Sequence, residues 1–166
     1  MDVKTEAQQT IVGVRDRLVN LSHKIHANPE LRFEEAEASA LLAESLADSG
    51  FAVETGVCDL STAFIARAGS GPLHIAICAE YDALPGVGHA CGHNMIAAMA
   101  VGAGIAAAQV ADDVGLTISV IGTPAEEGGG GKIFMLERSG FKGIHAAMMI
   151  HPAPNGSPTP NIIAPS

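Results

Sequence analysis

Basic residues are scarce in this 166-residue chain: 9 Lys and Arg stand against 18 Asp and Glu, a formal net charge of −9. No Lys/Arg stripe interrupts the acidic excess, so neither the phosphate backbone of a nucleic acid nor an anionic membrane surface is expected as a partner. Aromatics are scarcer still, at 4% with no Trp and a single Tyr. The core must therefore be built from Ala, Val, Ile, Leu and Met on closely packed helices and strands. Cysteines number three, an odd count, and Met1-Asp2-Val3-Lys4-Thr5-Glu6 has none of the apolar character of a signal peptide. A disulfide framework is not expected, and free thiols suit a reducing, cytoplasmic compartment. The longest mostly apolar stretch, Met95 to Val110, is interrupted by Gly102, Gly104 and Gln109. It falls short of the ~20 apolar residues of a membrane span.

What is present is enough for one globular domain with a substantial core, since 48% of the residues are apolar. Glycine is abundant at 19 residues, but it clusters at Gly86-Val87-Gly88 and Gly128-Gly129-Gly130-Gly131 without repeating. Ile11, Val14, Leu18, Leu21 and Ile25 recur at steps of three and four, which predicts an amphipathic helix ended by Asn28-Pro29. A second helix is expected from about Glu34 to Ser49, with Leu41, Leu42 and Leu46 buried and Gly50 as its stop.

Short β-like runs follow from Phe51 to Val57 and from Thr62 to Ala68, then Leu73 to Ala79, which reads as a strand buried on both faces. An Ala-rich buried helix is predicted over Asn94 to Val110, a strand over Leu116 to Ile121, a helix around Lys132 to Ser139 and a buried strand over Ala146 to Ile150. Strands alternating with helices predict an α/β layered fold, a mixed, mainly parallel sheet with helices on both faces. In such sheets chemistry belongs to the loops at strand C-terminal ends. Glu80-Tyr81-Asp82, Glu126-Glu127 and His151 each occupy such a place. The Pro-rich end, Pro152 to Ser166, is expected to form no element of its own.

His89-Ala90-Cys91-Gly92-His93-Asn94 sets a thiol and an imidazole two residues apart in a Gly-flanked turn, a spacing that lets both reach one borderline-soft cation. Taken alone, the segment is also readable as a half-buried Cys beside a helix-capping His. Glu126 and Glu127, adjacent in a glycine-rich turn, are by themselves either a solvated pair or the two acids that metal-assisted hydrolysis uses. In that case one carboxylate ligates and the other relays a proton to the leaving amine. His151 is either a ligand or a plain strand-end residue. Cys, His, Glu and His exceed what one hydrolytic zinc takes while keeping an open position, which points to two cations sharing a ligand. A thiol hydrolase using Cys91 as nucleophile and His93 as base leaves the two acids unexplained.

At these residues the chain resembles peptidase family M20, the amidohydrolases that include aminoacylases, hippurate hydrolases and carboxypeptidases. Four segments carry the resemblance: His26 to Leu31, Ala79 to Pro85, Gly88 to Asn94 and Gly122 to Gly129. The form Cys91-Gly92-His93-Asn94 is most similar to aminobenzoyl-glutamate hydrolases and Xaa-Arg (β-alanyl-lysine) dipeptidases. The resemblance implies Cys91, His93, Glu127 and His151 as metal ligands, Glu126 as general base and Asp82 as the acid that orients a metal-site residue. It implies a zinc-exopeptidase-like catalytic domain holding two divalent metal ions, zinc by donor set with manganese or cobalt compatible, and an N-acyl amino acid or dipeptide as substrate. It further implies that residues 1–166 are the N-terminal part of that domain. The lid and dimerisation domain, a fifth ligand and the rest of the catalytic domain lie in other segments. A homodimer is expected only with the lid, and the alternative is an inactive fragment that needs a complementary C-terminal polypeptide.

Overall fold

The structure, a computed structural model, describes residues 2–152, so all but Pro152 of the Pro-rich end lies outside it. Helix α1 spans Val3–Ala27. It starts at Asp2, whose carboxylate accepts the Lys4 and Thr5 N–H groups and the Thr5 hydroxyl, occupying two of the donors a helix leaves open. It ends at Asn28, before Pro29. Of its apolar stripe, Leu21 and Ile25 are buried, while Ile11 stays on the surface.

Helix α2, Ala36–Ala47, begins two residues later than the pattern predicts. The delay has a local cause. Phe33 takes φ +62°, and the Glu30 carboxylate reaches forward to accept the N–H groups of Glu37 and Ala38. Gly50, at φ +88°, turns the chain out as expected.

Five strands form one sheet: β1 Ala52–Thr55, β2 Phe64–Gly69, β3 Leu73–Ala79, β4 Leu116–Gly122 and β5 Ala146–Met148, in the order β1-β2-β4-β3-β5. β2 runs antiparallel to β1 and β4, whereas β3 is parallel to both β4 and β5. Four strands therefore point one way and β2 alone opposes them. Helix α3, His93–Val110, connects β3 to β4, and α4, Gly131–Glu137, lies between β4 and β5.

Side chains alternate between the sheet faces as strand geometry requires. Phe64, Ala66, Ile77, Ala79, Ile118 and Val120 pack in one cluster with Leu21 and Ile25 of α1, Leu42 and Leu46 of α2, and Val101 and Ile105 of α3. Ala63, Ile65, Ala76 and Ile121 turn to the other side and meet Met135 of α4. Helices thus cover both faces.

Helix α3 is wedged between α1 and the sheet, and two glycines set how closely it fits. A methyl at Gly102 would stand 2.5 Å from Leu18 Cδ1, and one at Gly104 would stand 2.3 Å from Val120 Cγ2. α3 is also the described helix long and apolar enough to cross a membrane, and 67% of it is buried inside the fold.

Two expectations are corrected. β3 is buried only from Ala76 onward, and Leu73 is 46% exposed, because β5 pairs with no more than Ile75 to Ile77. The last strand stops at Met148 instead of Ile150 and is exposed along its length, being an edge with a neighbour on one side only.

Candidate metal centre

β3, β4 and β5 are adjacent and parallel, so their C-terminal ends open on one edge of the sheet. β3 leads into Glu80-Tyr81-Asp82, β4 into the loop Thr123 to Gly130, and β5 into His151. The turn before α3 brings Cys91 and His93 to the same place. All six residues singled out from the sequence converge there.

His93 is the centre of the arrangement and is wholly buried. Its Nδ1 lies 2.9 Å from Asp82 Oδ1, and Asp82 Oδ2 accepts the Glu127 N–H at 2.8 Å. An ionised carboxylate only accepts, so Nδ1 carries the hydrogen, and in the neutral ring Nε2 offers its lone pair. Around Nε2 stand Glu80 Oε2 at 3.5 Å, Glu127 Oε1 at 3.7 Å and Glu126 Oε2 at 3.8 Å. His93 Nε2, Glu80 Oε2 and Glu127 Oε1 are buried without a hydrogen-bond partner.

Beside them Cys91 Sγ lies 3.5 Å from His151 Nε2, and His151 Nδ1 lies 2.8 Å from the Pro152 carbonyl, which again leaves Nε2 as the acceptor. The donor atoms of Cys91, His93 and His151 fall within 4.8 Å of one another, and so do those of Glu80, His93 and Glu126.

Burial alone would raise the Asp82 pKa, but the bonds from His93 and the Glu127 N–H outweigh it and hold the carboxyl below its ordinary value. Burial opposes charge on His93, and the hydrogen bond to Asp82, helped by Glu80 and Glu127, overcomes it and raises the imidazole. The Cys91 thiol is pushed up to about 11, first by desolvation and then by Glu127, Glu126 and Glu80. A thiol that keeps its proton at neutral pH is a poor nucleophile, which counts against the thiol-hydrolase reading.

These groups fit a divalent cation. Buried nitrogen and oxygen atoms without hydrogen-bond partners, each offering a lone pair, face one another at separations too long for good hydrogen bonds. Ligands bound at ~2.0–2.3 Å in a tetrahedral site stand roughly 3.3–3.7 Å apart, close to the spacings seen.

The acid loop is held from behind by residues that sequence reasoning missed. Ala125 takes φ +58°, and its N–H donates to Oε1 of Glu35, a wholly buried carboxylate, at 2.8 Å. Glu35 Oε2 accepts the Thr62 hydroxyl, and the Thr62 carbonyl accepts the Tyr81 hydroxyl at 2.6 Å. Glu80, placed with Asp82 at a strand exit by the sequence but given no role, forms an ion pair next to His93 with Lys132, which sequence reasoning missed. Glu80 had a signal, since it leaves β3 two residues before Asp82. Glu35 had none, because its helical surroundings predict an ordinary surface acid.

Residues 76–164, more than half the chain, match Peptidase family M20/M25/M40. The chain belongs to this family. It is 36% identical over 157 residues to one of the subunits of the p-aminobenzoyl-glutamate hydrolase of Escherichia coli, a match covering 83% of this chain and 33% of that protein. To the Xaa-Arg dipeptidase of Mus musculus it is 39% identical over 165 residues, covering 91% and 38%. The fold superposes on the Bacillus subtilis YXEP protein, described as a dinuclear metal binding peptidase from the M20 family, with a TM-score of 0.78 and 28% identity over 86% of this chain and 44% of that one. The chain thus spans less than half the length of these relatives. Membership of the family, the layered α/β fold and a site suited to divalent metal ions agree with what the motifs imply.

Proposed function

We propose that this chain carries most of the catalytic metal site of an amidohydrolase that cleaves the amide bond of N-acyl amino acids or dipeptides. The observation that carries the reading is the buried, unpartnered Nε2 of His93, faced by three carboxylate oxygens and flanked by the Cys91–His151 pair. Cys91, His93, Glu127 and His151 would hold two divalent ions, zinc by the mixture of sulfur, nitrogen and oxygen donors. Bound there, the ions would acidify a water and polarise the amide carbonyl.

Glu126 is suited to the proton relay. Its side chain is 43% exposed where Glu127 is 17% exposed, so Glu126 reaches the open side of the site while Glu127 is tied down through its N–H to Asp82. In this role it takes a proton from the attacking water at a carboxylate oxygen and returns it to the departing amine. Asp82 fixes the tautomer and direction of His93 and the place of Glu127. Residues 1–166 are read as the N-terminal part of the catalytic domain, with the lid and the remaining ligand in other segments, and the free thiols suit the cytoplasm.

The test is Glu126→Gln in the protein that contains this chain. Turnover of N-acyl amino acids and dipeptides should fall by roughly 10²–10⁴-fold with metal content unchanged. Turnover at the parental rate overturns the assignment.

A second reading is favoured by the exposed β5 edge, with Met148 56% and Ile150 63% exposed next to His151. On this reading the isolated chain is inactive and needs a complementary C-terminal polypeptide to cover that edge. Two metal ions per purified 166-residue chain with measurable turnover would exclude it.

A further inference from the structure

One ion pair at the centre has no part in the roles given so far. Glu80 leaves the end of β3 as a buried carboxylate, 2% exposed, and Lys132 reaches it from the first turn of α4. Lys132 occupies Oε1 only. Oε2 is buried, has no hydrogen-bond partner and stands 3.5 Å from His93 Nε2, which has none either. A lysine whose sole task was to neutralise a buried acid would leave that oxygen unsatisfied, a costly arrangement in a low-dielectric site. A cation between Oε2 and Nε2 satisfies both atoms at once. Glu80, His93 and Glu126 already place one donor atom each within 4.8 Å of the others.

Charge points the same way. Glu80, Asp82, Glu126 and Glu127 are four acids, and among the described residues Lys132 is the one Lys or Arg paired with any of them. Divalent cations offset that excess, and among the described residues no second Lys or Arg is paired with these acids.

We propose that Glu80 is a further ligand of the metal centre and that Lys132 is its positioning residue, holding one carboxylate oxygen so that the other alone faces the metal beside His93. The proposal rests on the metal-centre reading above and extends it to two residues that reading leaves idle. Restricting Glu80 to one oxygen keeps the coordination number low at the His93 position, as a four-coordinate ion such as zinc prefers.

The experiment titrates the 166-residue chain with Co²⁺, following the visible absorption bands of the bound ion, and then with Zn²⁺ in competition with a chromophoric chelator. Circular dichroism checks the fold of each variant. Glu80→Gln should weaken the tighter-bound ion by at least about tenfold and change the cobalt band shape. Lys132→Met separates positioning from charge. Removing a nearby positive charge strengthens cation binding if charge is all that matters, whereas losing the tether weakens it, and Lys132→Arg should restore part of the loss. In the Glu80→Gln background Lys132→Met should then cause no further loss of affinity, because there is no ligand left to position.

Unchanged cobalt spectrum and affinity in Glu80→Gln overturn the ligand assignment, and tighter binding in Lys132→Met overturns the positioning role. If the parent chain itself binds no cobalt or zinc, these residues do not form a metal centre by themselves and the assignment of Glu80 and Lys132 falls with it, an outcome that the parent titration separates from the other two.

Discussion

His93 and Asp82 are both buried at the strand ends, and the imidazole Nδ1 meets Asp82 Oδ1 at 2.9 Å while the second oxygen of Asp82 holds the Glu127 N–H. One carboxylate therefore orients two of the proposed ligands, one from α3 and one from the loop after β4. Asp82→Ala leaves the His93 ring free to rotate and the His93 Nδ1–H and Glu127 N–H groups unpaired. Metal affinity should fall about 10–100-fold, and stability should fall by about 3 kcal/mol, read by metal titration and urea denaturation of the same samples. Parental affinity in a variant that still folds would show that His93 needs no such partner.

Cys91 gives a pH dependence with a definite sign. Its pKa of about 11 without metal means the thiol is protonated throughout the neutral range, so thiolate ligation must expel a proton. Zinc binding should weaken as pH falls and release protons, measurable by calorimetry in buffers of different ionisation enthalpy. In Cys91→Ala the proton release should drop by about one per chain. Equal release from parent and variant would remove Cys91 from the ligand set.

Glu35 gives a second, in stability. Burial raises its carboxyl above the ordinary value of 4.5 and outweighs the bonds from Ala125 and Thr62. The folded chain then holds the proton more tightly than the unfolded one. The stabilisation tied to that proton is complete below pH 4.5 and is lost as pH rises through the folded pKa. Glu35→Gln keeps an acceptor for the Ala125 N–H and has no proton to lose, so its urea midpoint should decline less than the parent's over that interval. Parallel profiles would contradict this account. Glu35→Ala, which leaves the Ala125 N–H unpaired, should cost about 1–3 kcal/mol at every pH.

Two glycines should respond with opposite signs. A methyl at Gly131 would stand 2.0 Å from the Pro124 carbonyl oxygen, a backbone atom that cannot yield without moving the acid loop. Gly131→Ala should cost about 1–3 kcal/mol and weaken metal binding with it. Gly13 sits exposed in α1 with nothing within 4 Å of the added methyl, so Gly13→Ala should stabilise by about 0.5–1 kcal/mol through helix propensity. Thermal melts of the two variants give the comparison, and a shift of the same sign in both would refute it.

What the sequence determined by itself is everything written in periodicity, punctuation and close spacing. The three-and-four pattern of α1, the apolar β3 and β4, the stop at Gly50, and the placing of Asp82, Cys91, His93, Glu126, Glu127 and His151 at strand exits or in the turn before a helix are all local. The limits were local as well. An edge strand and a central strand read alike, because both are short apolar runs, and only the pairing partners decide that β5 is exposed.

Tertiary structure alone decided the rest, since each of these relationships joins residues far apart in the chain. Glu35 supports Ala125 across 90 positions, and Lys132 meets Glu80 across 52. Whether a carboxylate is a solvated surface group or a buried, half-satisfied one depends on what the fold brings against it. No spacing in the sequence records that environment, and for Glu80 and Glu35 it separates a solvated surface acid from a buried one.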